Sequence, residues 1–297
     1  HSDTEVLIHG YEEYGDRVVD HLRGMFAFAV LDLAENRLLM ARDRFGEKPL
    51  YYSATRDGLA FASELKALVE LPGTDLAISN HGLVDYLHHG MIPAPRSIYE
   101  NVRKLRAAER VTVRLNAPHV IESEIYWDCR PDPVAGRSED EWFEAFEAEL
   151  QESIRLRMIS DVPLGAFLSG GLDSTVVLDG MSRASNRPVS TFSIGFADPR
   201  YDESPWADRA AEHYGSDHHR LTVSAADLLE TVGVVARMFD EPFADSSAVP
   251  TYVVSRLARQ HVTVALSGDG GDELLAGYGR YMVHRRLGRW MDRVPNW

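Results

Sequence analysis

The chain has 297 residues, with 31 Lys and Arg against 46 Asp and Glu, for a net charge of −15; 44% of residues are hydrophobic and 26% charged. That is the profile of a globular protein of about two domains, and so acidic a surface repels a phosphate backbone, which excludes general nucleic-acid binding. The one cysteine, Cys129, rules out an internal disulfide and any Cys-rich zinc site and fits a reducing, cytoplasmic setting; no run reaches the roughly 18 apolar residues of a membrane span, and the opening residues do not read as a signal peptide.

Residues 1–115 read as β-rich. Gly24–Asp32 and Arg37–Arg42 are short apolar runs, and Asn36 with its polar neighbours places a hairpin between them. Leu50–Ser53 and Leu59–Ala62 form a second pair, joined by a turn at Asp57-Gly58. Ser63–Val69 reads as a short helix and Val111–Leu115 as a strand. Asn116–Arg137, with Pro118, Pro131, Pro133 and Gly136 and no sustained periodicity, reads as a linker.

From Ser138 the pattern changes. Ser138 and Glu141 are spaced as a capping box, and Phe143, Phe146, Leu150 and Ile154 recur at helical spacing. Beyond residue 160 strands alternate with helices: strands at Leu164–Leu168, Val189–Phe196, His219–Val223 and Val262–Leu266, and helices ending near Ala184 and spanning Ser204–Tyr214, Ala226–Met238 and Pro250–Gln260. Such alternation predicts a doubly wound parallel sheet.

Two glycine-rich turns follow strands of that sheet. Ser169-Gly170-Gly171-Leu172-Asp173-Ser174 lies where strand gives way to helix. Glycine there lets the backbone approach an anion, and the N–H groups of a helix start favour phosphate. Asp173 beside phosphates would repel them unless a divalent cation bridges the two. The plainer reading is a tight turn with Asp and Ser as helix caps; a Walker A loop is excluded, because its G-x-x-x-x-G-K-[ST] pattern is missing. Ser267-Gly268-Asp269-Gly270-Gly271-Asp272-Glu273 follows the fourth strand. In a parallel sheet both turns lie at carboxyl ends of strands, where open α/β folds bind ligands, although the second could also be an acidic surface loop.

Ser169–Ser174 resembles the pyrophosphate loop of ATP pyrophosphatases. Together with Ser267–Glu273, Gly24–Asp32 and Arg42-Asp43-Arg44-Phe45-Gly46, the whole chain resembles the glutamine-dependent asparagine synthetases. The resemblance implies an α/β protein in two parts: a portion of an αββα, Ntn-hydrolase-type glutaminase domain over residues 1–115, and after the linker at 116–137 a portion of a doubly wound ATP-pyrophosphatase domain over 138–297. It implies an internal stretch of a longer chain, with the nucleophilic cysteine and an Asn-Gly-Glu segment upstream of His1 and a catalytic lysine beyond Trp297.

Family roles fall on matching positions. Asp3 matches the carboxylate that pairs with the α-amino group of glutamine; read alone, it is a helix N-cap. Leu168 and Ile194 match contacts to adenine or ribose, compatible with core packing. Ser169, Gly170, Gly171, Asp173 and Ser174 match the pyrophosphate loop, and Ser267 and Gly268 a second nucleotide contact. Asp269 matches an acid associated with acyl-adenylate formation, and Asp173 and Asp272 match carboxylates that hold Mg²⁺. The implied reaction is amidation of aspartate, or of another carboxylate, through an acyl-adenylate, using ATP, Mg²⁺ and ammonia from glutamine. A nucleotide-binding module without turnover is the reading from another class. The implied partners are small molecules rather than nucleic acid or membrane, and a homodimer is compatible with them.

Other features carry less. Cys129 matches no family position and reads as structural. His88-His89 and His218-His219 are adjacent pairs that in extended chain point to opposite faces, so neither reads as a zinc site. Glu12-Glu13 and Glu139-Asp140-Glu141 read as solvated helix faces, and Arg285, Arg286 and Arg289 as a basic one.

Overall fold

A computed structural model describes residues 2–55 and 58–291. The chain divides into two compact units, His1–Pro133 with Ala236–Asp245, and Val134–Val235 with Ser246–Trp297. Asp57 of the expected Asp57-Gly58 turn and the side chain of Arg289 lie outside the described residues.

Unit 1 opens with helices α1 (Asp3–Tyr14) and α2 (Val18–His21). Strands β1 (Ala27–Asp32), β2 (Arg37–Arg42), β3 (Tyr51–Thr55) and β4 (Gly58–Ala62) follow, then helices α3 (Leu65–Val69) and α4 (Asn80–His89). Strands β5 (Val102–Lys104), β6 (Glu109–Arg114) and β7 (Ile121–Ile125) complete it. Two antiparallel sheets form, ordered β1-β2-β6-β7 and β4-β3-β5.

Strand alternation sets the layers. On β2, Leu38 and Met40 join Tyr52, Leu105 and Val111 in a core shared by the two sheets. The intervening Leu39 and Ala41 turn the other way and meet Val18 and Val19 of α2. Leu65 and Leu68 of α3 pack with Val102 and Tyr51 of the second sheet. The result is helix, sheet, sheet, helix, the αββα order expected, because β2 is apolar on both faces.

The stretch 116–137, read above as a linker, contains β7, which pairs along β6 from Glu109↔Ile125 to Val113↔Ile121. It is an edge strand with four of its five residues exposed, so apolar patterning gives no signal. The expected β1–β2 hairpin turn is present, with Asn36 at φ +55°. Cys129 is free and exposed, so it has no structural packing role. His88 and His89 close the helix α4 rather than lying in extended chain; their rings are 5.1 Å apart.

Unit 2 consists of α5 (Glu139–Arg157), β8 (Leu164–Phe167), α6 (Leu172–Ala184), β9 (Ser190–Phe196), α7 (Ser204–Tyr214), β10 (Asp217–Val223), α8 (Ala225–Met238), α9 (Ala248–Ala258), β11 (Val264–Leu266), α10 (Gly271–Leu275) and α11 (Gly279–Met291). Of these, the last residues of α8 fall to unit 1. The four strands pair in parallel in the order β10-β9-β8-β11. On one face Ala166 and Leu168 pack with Ile154, Leu178, Met181 and Ala207 of α5, α6 and α7. On the other, Phe167 and Phe192 pack with Val254, Leu257 and Ala258 of α9. Helices on both faces make the sheet doubly wound, as expected.

The capping box of α5 is closed. Ser138 Oγ accepts from the Glu141 N–H at 3.3 Å, and Glu141 Oε2 accepts from the Ser138 N–H at 2.7 Å. That amide holds the Glu141 carboxyl below its ordinary range. Ser138→Ala is expected to lower the stability of unit 2 by about 1 kcal/mol, read as a shifted urea midpoint at constant slope. An unchanged midpoint would count against the cap. Phe143 and Phe146, which share the helical spacing of Leu150 and Ile154, are exposed. Glu147 of α5 pairs with Arg183 near the end of α6, so the first turns of α5 run past that helix, and only Leu150 and Ile154 reach the core.

Candidate functional site

The sheet order places the two glycine-rich turns side by side. The chain builds outward from β8 to β9 and β10, then returns to add β11 on the other side of β8. The winding direction therefore reverses between β8 and β11, and ligands of open α/β sheets bind at such a point. The turn after β8 carries Ser169–Ser174, and the turn after β11 carries Ser267–Glu273.

The first turn is braced from within. Ser174, buried at the start of α6, has its Oγ 3.0 Å from Ser169 Oγ and accepts from the Ser169 N–H at 3.2 Å. Ser169 Oγ accepts from the Gly171 N–H at 3.2 Å, and Thr175 Oγ1 donates to the Gly171 carbonyl at 2.7 Å. The two glycines serve different needs. Gly170 has φ +80°, and a Cβ there would lie 2.4 Å from the Ala207 N of α7. Gly171, the N-cap residue of α6, has φ −71°, and a Cβ there would meet only Ser169 Oγ at 3.3 Å.

The second turn interlocks with the first. A Cβ on Gly268 would lie 2.8 Å from the Ser174 N, and one on Gly271 would lie 2.5 Å from the Asp173 Cγ. The Asp173 carboxylate therefore rests against the backbone just before Asp272. Asp269 accepts from Ser267 Oγ at 2.8 Å. The Asp272 carboxylate turns toward Gly277. Glu273 accepts from the Tyr278 hydroxyl at 2.7 Å, which holds its carboxyl low and pushes the phenol up. Arg280 lies 4.2 Å over the Tyr278 ring.

Leu168 is buried, its side chain in the core and its N–H donating to the Phe192 carbonyl at 2.9 Å. Ile194 stands two residues farther along β9, toward the carboxyl edge. Unit 2 thus gathers Ser169, Gly170, Gly171, Asp173, Ser174, Gly268 and Gly271 into one region. Asp3 stands in unit 1, exposed in the first turn of α1, where its carboxylate accepts from the Thr4 N–H at 2.9 Å; the N-cap residue is Ser2. Among the described residues, no group of three or more His, Cys, Asp and Glu side chains is placed to hold a metal ion. Mg²⁺ needs no such cage, because it takes one or two carboxylates and completes its shell with phosphate and water.

The β9–α7 connection, unremarked in the sequence, supports this region. Asp202 Oδ1 accepts from the Phe196 and Ser204 N–H groups, both at 3.2 Å, and Oδ2 accepts from Ser204 Oγ at 3.0 Å. These bonds fix the start of α7, whose Trp206 and Ala207 backbone abuts Gly170. The signal was Asp202-x-Ser204-Pro205, a polar cap before a proline at a helix start. The Ser204 hydroxyl and amide hold the Asp202 carboxyl below its ordinary value. A depressed carboxyl stabilises above the unfolded value near about pH 4 and loses that contribution as pH falls through the folded value. Asp202→Asn is expected to flatten the acid limb of thermal unfolding below about pH 4. Wild-type and variant curves that stay parallel there would refute it.

His218 and His219 do alternate, on β10. His218 Nδ1 lies 2.8 Å from Thr191 Oγ1, and burial holds the imidazole below its ordinary value. His219 stacks on His261 at 3.9 Å. Glu12 and Glu13, Glu139–Glu141, and Arg285 and Arg286 are all exposed on helices.

Residues 1–127 match a glutamine amidotransferase domain, and residues 145–296 match asparagine synthase. A putative glutamine-hydrolyzing asparagine synthetase 2 of Methanocaldococcus jannaschii is 37% identical over 289 residues, 96% of this chain and 56% of the relative. Glutamine-hydrolyzing asparagine synthetase 1 of Bacillus subtilis is 35% identical over 99% of this chain and 46% of its own. Amidase chry2 of Gibberella zeae is 28% identical over 94% of this chain and 44% of its own. The chain spans about half the length of the curated relatives it matches.

Proposed function

We propose that this chain, which belongs to the glutamine-dependent asparagine synthetase family, is part of a ligase that amidates aspartate at the expense of ATP. The observation that carries the proposal is the interlocking of two glycine-rich turns at the reversal point of a parallel sheet. Residues 1–115 are the glutaminase-type portion, 138–297 the ATP-pyrophosphatase portion.

The chemistry follows from the charges involved. A carboxylate resists attack by ammonia until one of its oxygens has bonded to the α-phosphorus of ATP. That step forms an acyl-adenylate and expels pyrophosphate. Ammonia then attacks the acyl carbon, the acyl–oxygen bond breaks, and amide and AMP leave. The turn at Ser169–Ser174 offers N–H groups and hydroxyls to the pyrophosphate. Ser267 and Gly268 meet the nucleotide from the second turn, and Leu168 and Ile194 lie along its adenosine part. Asp269, steadied by Ser267, serves acyl-adenylate formation. Asp173 and Asp272 would hold Mg²⁺, which would neutralise charge on the pyrophosphate. In unit 1, Asp3 pairs with the α-amino group of glutamine.

Supply of aspartate, ATP, Mg²⁺ and ammonia to the full-length protein should give AMP, pyrophosphate and asparagine in equal amounts. ADP in place of AMP would refute the adenylate route. A different acceptor carboxylate is the second reading. AMP release that ignores aspartate but responds to another acid would establish it.

A further inference from the structure

Unit 1 includes ten residues, Ala236–Asp245, that are flanked on both sides in sequence by residues of unit 2. Within unit 1 this segment is held by charged groups that the proposed chemistry does not use. The Lys104 ammonium pairs with Glu241, both side chains being only 13% exposed, and also donates to the Ile92 carbonyl at 2.6 Å. The other Glu241 oxygen accepts from the Ile98 N–H at 3.2 Å. Next to it, Asp240 accepts from the Lys66 N–H at 3.0 Å and meets the Lys66 ammonium at 3.2 Å. The Ala244 N–H donates to the Gly90 carbonyl at 2.8 Å. Between these anchors Phe239 and Phe243 stack at 4.4 Å and line a cavity of about 320 Å³ that Tyr51 and Met91 also border.

A buried ion pair adds little net stability over an apolar pair of the same shape; in some proteins what it contributes is a fixed register. Three residues after Asp245 the chain begins α9, which packs Val254, Leu257 and Ala258 against Phe192 of β9. Ala236–Asp245 is therefore joined through two intervening residues to a helix of unit 2. We propose that Lys104 and Glu241 are positioning residues that couple glutamine hydrolysis in unit 1 to amide formation in unit 2, by holding this segment in a fixed register. The proposal rests on the ligase reading above. Synthesis from glutamine needs ammonia released in one unit to be used in the other, whereas synthesis from added ammonia does not.

The test uses the full-length protein with Lys104→Met, and with Lys104→Met combined with Glu241→Gln. The double variant is neutral on both sides and keeps the acceptor for Ile98, so it covers the case in which an unpaired Glu241 prevents folding. Amides of residues 239–241, 243 and 244 should exchange with deuterium at least tenfold faster than in the unsubstituted protein. AMP formation with glutamine should fall at least fivefold relative to AMP formation with ammonia, while glutamate release and ammonia-dependent AMP formation stay within twofold. Unchanged exchange, or faster exchange with an unchanged glutamine-to-ammonia ratio, would overturn the proposal. Failure of the ligase reading shows differently: the unsubstituted protein itself then forms no AMP from ammonia and a carboxylate, which overturns both.

Discussion

Gly171→Ala is expected to lose nucleotide affinity tenfold or more, about 1.4 kcal/mol or greater, while unit 2 stays folded. The neighbouring Gly170→Ala should do the reverse first and destabilise the unit. The contrast follows from what each missing Cβ would meet. At Gly171 the backbone has φ −71°, ordinary for any residue, and a methyl group there would meet only Ser169 Oγ at 3.3 Å, a close contact relieved by a shift of a few tenths of an ångström in that side chain. Replacing a glycine N-cap by alanine costs about 1 kcal/mol at most. Any larger loss must therefore come from a ligand that needs the same space, and a phosphate oxygen on the helix N–H groups is such a ligand. At Gly170, φ is +80° and the Cβ would lie 2.4 Å from a backbone nitrogen of α7, so alanine is strained whether or not ATP binds. A cost of at least about 2 kcal/mol is expected there. Calorimetric titration with ATP and thermal unfolding, run on both variants, separate the two effects. Unchanged ATP affinity in a folded Gly171→Ala protein would remove the pyrophosphate-loop assignment.

The sequence carried the parallel unit well and the site in outline. β8 and β11 lie in apolar runs that end at glycine-rich turns, so they are plain in the sequence, whereas β10 opens on Asp217 and His218 and starts two residues before the His219–Val223 stretch. Strand order was not legible: nothing local says that β11 returns to the side of β8, yet that return brings Ser169–Ser174 against Ser267–Glu273. The reason for each glycine was equally hidden. Gly170 answers to α7 and Gly271 to Asp173, partners 37 and 98 residues away in the chain. In unit 1, β7 escaped because an exposed edge strand needs no apolar alternation. Asp43, noted only as part of a family motif, is a buried hub. It accepts from the Phe26, Phe45, Glu47 and Lys48 N–H groups at 2.9 to 3.3 Å, bonds that exist only once the 43–48 turn has folded. Ala236–Asp245 reads as the end of one helix and a connection to the next; only the partners of Asp240 and Glu241 place it with unit 1.

Asp173→Asn is expected to weaken nucleotide binding in the presence of Mg²⁺ and not in its absence. The Asp173 side chain lies against Gly271, so an isosteric amide preserves the contact between the turns and should leave the melting temperature within about 2 °C of wild type. What changes is charge. A carboxylate near the pyrophosphate repels free ATP, so its removal should leave metal-free binding equal or tighter. If the carboxylate holds Mg²⁺ as proposed, the amide replaces it poorly, and affinity in Mg²⁺ should fall about ten- to a hundredfold, or roughly 1.4 to 2.7 kcal/mol. Asp272→Asn should behave alike if its carboxylate joins the same ion, even though it must first turn away from Gly277. The two losses should then fall short of additive in the double variant, because removing either ligand already weakens the ion they share. Titrations of ATP with and without Mg²⁺ across the four proteins decide the matter. Equal affinities in both conditions for wild type and Asp173→Asn would show that the two aspartates brace the turns and hold no metal.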